Sequence, residues 1–159
     1  MIYLDANATT PVDPAVLEAM LPFLRDYFAN PSAGYSGGRT ARSAVQRARE
    51  QVAALIGADA DEIVFTSGGT ESINAVHASV RSLWPDKPDL IITGTEHPAV
   101  AESAKRWKDQ GGNVLHAPVH PNGRVDLDAL RQLVQPGKTA LVSIMWANNE
   151  TGVIAPMRE

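Results

Sequence analysis

The chain has 159 residues, 44% of them hydrophobic, with 14 basic against 18 acidic side chains and a formal net charge of -4. That length suits one buried core, and the mixed, mildly acidic charge offers no basic patch for nucleic acid. Cysteine is absent, which removes disulfides, thiolate metal sites and a cysteine nucleophile from these residues.

In chain order, Ile2-Tyr3-Leu4 reads as a short apolar strand or arm, followed by the polar run Asp5 to Pro11. This start lacks the cationic and apolar regions of a secretion signal, and no run reaches membrane-spanning length, so the expectation is a soluble cytoplasmic protein without a membrane partner. Asp13 caps a helix that has Pro14 at its first position, with Val16, Leu17, Met20, Leu21 and Leu24 as its apolar stripe. Pro22 is expected to bend or end that helix early. The loop from Asn30 to Gly38, rich in Gly and Pro, is either a connector or part of a site. A helix from Arg39 to Ile56 follows, with Ala41, Ala44, Val45, Ala48, Val52, Leu55 and Ile56 on one face and Gly57 as its stop. Its charges (Arg42, Arg47, Arg49, Glu50) read as a solvated face.

Ile63-Val64-Phe65 reads as a short buried strand, Thr66 to Gly69 as a turn, and the segment from Thr70 as a helix carrying Ile73, Val76, Val80 and Leu83. The first N–H groups of such a helix point into the turn, and its dipole favours an anion there. Two glycines let a ligand approach the backbone. The hydroxyls of Thr66, Ser67, Thr70 and Ser72 add donors, so the stretch reads as a phosphate cradle. The alternative is that Ser67 or Thr70 only caps the helix. Neither the nucleotide P-loop pattern nor the dinucleotide G-x-G-x-x-G is present. Ser67 also lacks the G-x-S-x-G setting of a hydrolase nucleophile.

Leu90 to Thr93 is a strand, Ala99 to Lys108 a helix, Val114 to Val119 a strand, Val125 to Leu133 a short helix and Ala140 to Trp146 a further strand. Strand and helix alternate from Ile63 onward, which predicts an α/β fold: a mainly parallel sheet with helices on both faces. Ligands of such sheets bind beyond the carboxyl ends of the strands. That rule brings Ser67 to Thr70, Thr95-Glu96-His97 and Asn148-Asn149 to one edge. A lone histidine at a strand end is usually a structural hydrogen-bonder; its place beside the other clusters makes His97 a candidate functional residue. His77, His116 and His120 lack partners at ligand spacing and read as structural or surface groups, so no metal is expected.

Tyr3 to Thr10, Asn30-Pro31-Ser32, Glu62 to Ser72, Thr95 to Val100 and Ser143 to Gly152 together resemble the cysteine desulfurases of the class V aminotransferase group. The resemblance runs the length of the chain with the motifs in family order. It implies a fold-type I enzyme dependent on pyridoxal 5'-phosphate that takes sulfur from L-cysteine, leaving L-alanine and an enzyme-bound persulfide for iron–sulfur clusters. It further implies a homodimer and a sulfur-acceptor or iron–sulfur scaffold partner. By the same resemblance Gly69 and Thr70 bind the cofactor phosphate, His97 stacks over the pyridine ring as the candidate catalytic residue, and Asn148 bonds the ring-hydroxyl side. Residues 1–13 would form an N-terminal arm and 14–159 the first part of the large cofactor domain.

Two departures stand out. The family usually has a histidine near Asn-Pro-Ser, where this chain has Tyr35. The family's second half carries an aspartate facing the pyridine nitrogen, the lysine that binds the cofactor covalently and the sulfur-accepting cysteine. None of these is within the 159 residues, and Lys87, Lys105, Lys108 and Lys138 sit in turns or on a polar helix face. The expectation is therefore an N-terminal half that does not turn over by itself and leaves apolar edges exposed. The alternatives are a non-catalytic phosphate-ligand-binding or assembly domain, or another class V enzyme such as a selenocysteine lyase or aminotransferase.

Overall fold

The computed structural model describes residues 2–158; Met1 and Glu159, the outer ends of the expected arm and domain, lie outside the described residues. The chain divides into two compact units, Met1–Phe65 and Thr66–Glu159.

In the first unit, the Asp13 carboxylate accepts the Ala15 N–H at 2.8 Å and Pro14 opens α1 (Pro14–Arg25). Pro22 does not end this helix. It removes one bond close to the C-terminal end, and its own carbonyl still accepts from Asp26 and Tyr27. The expected stripe is not buried: α1 has no buried residue, and Leu24 is 65% exposed. Helix α2 (Ser36–Ile56) begins earlier than its apolar spacing predicts, because Gly38 lies so close to the preceding loop that a Cβ would stand 2.4 Å from the Ala33 carbonyl oxygen. Arg39 donates to the Gly34 carbonyl at 2.7 Å, while Arg42 donates to those of Pro31 and Ala33 at 2.8 and 3.2 Å. Arg49 donates to the Ile63 carbonyl and lies 5.1 Å from the Phe65 ring centroid. Arg49, half-buried, is thus a clamp rather than a member of a solvated face, and Arg42, though exposed, also clamps the loop, since carbonyls outside a ladder need donors. Gly57, at φ 71, ends α2 as predicted.

The segment Ile63-Val64-Phe65 corrects the sequence reading. It has no regular secondary structure and pairs with no strand among the described residues, and Val64 is 79% exposed. Without a ladder partner its apolar side chains have no sheet surface to cover them.

The second unit contains α3 (Gly69–Leu83), β1 (Asp89–Thr93), α4 (Pro98–Asp109), β2 (Asn113–Ala117), α5 (Leu127–Leu133) and β3 (Thr139–Ser143). The strands form a parallel sheet of order β2-β1-β3, with Ile91 opposite Leu115 and Val142. The continuous apolar run of β1 is explained by its central place, buried on both faces. Leu90 and Ile92 pack with Val100, Ala104 and Trp107 of α4 and with Ile73 and Val80 of α3. Ile91 faces the other way, toward Ala117, Val125 and the leucines of α5. Helices therefore cover both faces, as the alternating pattern predicts. Fully burying Leu90 and Ile91 stabilises by about 1.5–3 kcal/mol each.

Strands β2 and β3 end before their apolar runs do. After Ala117 and Ser143 the chain leaves the sheet, and single antiparallel bridges join Val119 to Val125 and Ala147 to Ile154. Helices α3 and α4 lie side by side and run the same way, since Arg106 donates to Asn74 and Arg81 to the Gln110 carbonyl, both at 3.1 Å. Trp107 anchors α4 by donating its indole N–H to the Pro88 carbonyl at 2.7 Å.

Candidate functional site

The start of α3 is open. Its N-cap, Gly68, stands at φ 156, a conformation suited to glycine, and no side chain caps the helix. Nothing lies within 4 Å of a Cβ built on Gly68 or Gly69, so a ligand has access to the backbone. Ser67 is not the cap: its N–H and hydroxyl both donate to one Glu71 carboxylate oxygen at 2.6 Å. Those bonds, the hydroxyl's first, hold the Glu71 carboxyl below the usual carboxylate range. Thr66 and Ser72 pair through their hydroxyls at 2.8 Å. Of the hydroxyls in the turn, Thr70 is exposed and stands in the uncapped first turn.

His97 is the N-cap of α4, its Nδ1 accepting the Ala99 N–H at 3.1 Å ahead of Pro98. The bond leaves Nε2 to carry the ring proton and fixes the orientation of an exposed imidazole. Asn148 is joined to the same segment, donating Nδ2 to the Thr95 carbonyl at 2.9 Å. Its oxygen accepts the N–H groups of Glu150 and Thr151 at 3.0 and 2.8 Å. The amide is therefore oriented by its own turn, with one N–H of its NH2 beyond the bond to Thr95.

Glu96 was read in the sequence only as part of a polar cluster. Its carboxylate accepts the Thr93 hydroxyl at 2.8 Å and the Met145 N–H at 3.1 and 3.2 Å, binding the end of β1 to the segment after β3. The signal available was an acidic residue between a buried strand and a helix opened by a proline. Beneath these bonds lies a cavity of about 20 Å³ lined by Thr93, Thr95, Glu96 and Asn148 among others, room for one water.

His77 fixes the place of α3. It is 3% exposed, and its Nε2 lies 3.2 Å from the Ser143 hydroxyl at the carboxyl end of β3. Thr70 stands seven residues earlier, about 10 Å further along the axis on the carboxyl-edge side, at 1.5 Å per residue. The structure thus brings His97 and Asn148 into one bonded cluster and sets Gly69 and Thr70 at the same edge, without a bond to that cluster. Burial pushes the His77 imidazole below the ordinary histidine range, in keeping with a structural role. Lys105, Lys108 and Lys138 are exposed and Lys87 is half-buried; none of these lysines lines the cavity beneath Glu96. Among the described residues no group of three or more His, Asp or Glu side chains could hold a metal ion.

A parallel α/β sheet with an open helix start, an oriented imidazole and an oriented amide at its carboxyl edge defines a partial domain of the doubly covered α/β class. The chain belongs to the class-V aminotransferase family, whose model matches residues 2–159. It is 50% identical over 159 residues to a cysteine desulfurase of Nostoc sp., covering 100% of this chain and 40% of that protein. Among solved structures, a NifS-like protein superposes with a TM-score of 0.94 at 43% identity, over 98% of this chain and 43% of the other. A second, SspA in complex with cysteine, gives a TM-score of 0.90 at 35% identity over 98% and 45%. The chain spans about two fifths of the length of the curated relatives it matches.

Proposed function

We propose that this chain is the phosphate-holding and ring-facing part of a pyridoxal-phosphate site in a cysteine desulfurase. The carrying observation is 50% identity, over the whole of this chain, to two fifths of a cysteine desulfurase, together with an uncapped, Cβ-free helix start at the carboxyl edge. The residues fit the cofactor. The first-turn N–H groups of α3 and the Thr70 hydroxyl suit a phosphate dianion. An exposed imidazole held by its Nδ1 bond presents a flat ring to an aromatic one, and the remaining N–H of Asn148 suits an oxygen acceptor. When bound, the cofactor supplies an electron sink for carbanion chemistry on an amino acid.

L-cysteine is the substrate on this reading, as a relative was solved with cysteine. His97, its Nδ1 held by the Ala99 N–H, turns Nε2 outward, orients the ring and can exchange a proton only through that atom. Residues 1–13 form the arm and 14–159 the first part of the large domain of a homodimeric, cytoplasmic enzyme serving iron–sulfur assembly. The covalent lysine and the sulfur-accepting cysteine belong to residues outside these 159, so the segment by itself does not turn over. Measuring the intact mass of the natural protein alongside alanine release from L-cysteine tests this. A longer polypeptide that releases alanine is expected. Steady turnover by the 159-residue chain alone would overturn the assignment.

A further inference from the structure

We propose that Glu96 is the positioning residue that holds His97 and Asn148 in common register, a role that rests on the cofactor reading above. Beyond the carboxyl edge the ladder has ended, so no backbone pairing fixes the segment at Thr95–His97 against the one at Met145–Asn148. What joins them is polar. The Glu96 carboxylate takes the Met145 N–H with both oxygens, at 3.1 and 3.2 Å, and the Thr93 hydroxyl with one, at 2.8 Å. Thr93 also lies 3.1 Å from the Thr95 hydroxyl. The second link is the bond from Asn148 to the Thr95 carbonyl, at 2.9 Å.

The two links attach at Thr95 and Glu96, just before His97, and work together. Glu96 precedes His97 directly, and Met145 lies three residues before Asn148, so a shift at the carboxylate displaces both candidate ring-facing groups at once. A carboxylate with several donors is a stronger tie than a neutral acceptor, and the half-buried setting keeps water from replacing it. Glutamine keeps the shape and one acceptor, while alanine removes the tie and leaves the Met145 N–H without it.

The test is a double-mutant cycle on pyridoxal phosphate retention in the cofactor-loaded protein, using Glu96→Ala, Asn148→Ala and the pair. Glu96→Ala is expected to speed cofactor loss about tenfold, the scale of one misplaced bond. In the Asn148→Ala background that effect should shrink to about twofold, because Glu96 acts through the register it sets. Glu96→Gln should restore much of the retention. Full additivity, each variant weakening retention equally in either background, would overturn the proposal.

If the unaltered protein takes up no cofactor, the functional reading is what fails. The positioning role is then judged in the ligand-free chain by nitrogen-15 NMR. The Asn148 side-chain amide and the Ala99 N–H, which reports the His97 cap, should both shift in Glu96→Ala and return toward their original positions in Glu96→Gln. Unchanged signals in Glu96→Ala would refute it.

Discussion

Replacing Trp107 should loosen the helix whose start carries His97. The indole is 2% exposed and packs with Leu90, Ile92, Val100 and Ala104. Its N–H meets the Pro88 carbonyl at 2.7 Å, and the His77 ring meets it edge-on at 6.4 Å. Gly112 is tight against it, since a Cβ there would stand 2.2 Å from the ring. Trp107→Ala therefore opens a large cavity beside the central strand, a change that costs about 3–5 kcal/mol. Trp107→Phe keeps most of the ring and loses the bond to Pro88, costing about 1–3 kcal/mol. Against a total stability of about 5–15 kcal/mol, the first is severe and the second tolerable. Urea unfolding followed by circular dichroism avoids relying on the indole as reporter. With a slope of about 1–3 kcal/mol per molar, the alanine variant should lose at least about 1 M in midpoint. A loss below about 1 kcal/mol for Trp107→Ala would refute the packing argument.

Thr70→Ala removes one hydroxyl and keeps the backbone N–H, so pyridoxal phosphate should bind about ten- to hundredfold more weakly while pyridoxal, which lacks the phosphate, binds as before; fluorescence titration of both ligands checks this. The buried His77 has its pKa lowered from 6.5. The unfolded chain thus takes up that proton first, and stability should be full above pH 6.5 and fall as pH drops below it. Urea midpoints measured across that range should show the decline, and His77→Gln should flatten it. Gly38→Ala forces a Cβ onto the Ala33 carbonyl, and the displaced loop at residues 30–38 should be cut faster by protease. Borohydride reduction and peptide mapping of an active protein should label no lysine within these 159 residues.

Much of the second unit was legible because period and burial agree there. Leu90-Ile91-Ile92 has no polar interruption, as a strand covered on both faces requires. Ile63-Val64-Phe65 has the same local signal and no ladder, since residue type cannot report whether a partner strand is present. Helix α1 misled likewise: its apolar spacing is real, yet no residue of the helix is buried. The roles of Arg42, Arg49 and Glu96 were hidden because each bonds backbone groups far away in sequence, as with the 49-residue span from Glu96 to Met145. The places of His97 and Asn148 past the ends of β1 and β3 were readable because the carboxyl-edge rule depends on element order, whereas for Gly69 and Thr70 that rule leaned on a strand at residues 63–65 that does not form.

The most direct test of the cofactor site is a nitrogen-15 NMR titration of the chain with pyridoxal phosphate. Without the covalent lysine, binding should be weak, in about the millimolar range, as expected for a phosphate held by one helix start and a hydroxyl. The amides of Gly69 and Thr70 should shift most, together with the His97 ring and the Asn148 side chain. Saturable shifts confined to another surface, with those groups unmoved, would contradict this expectation.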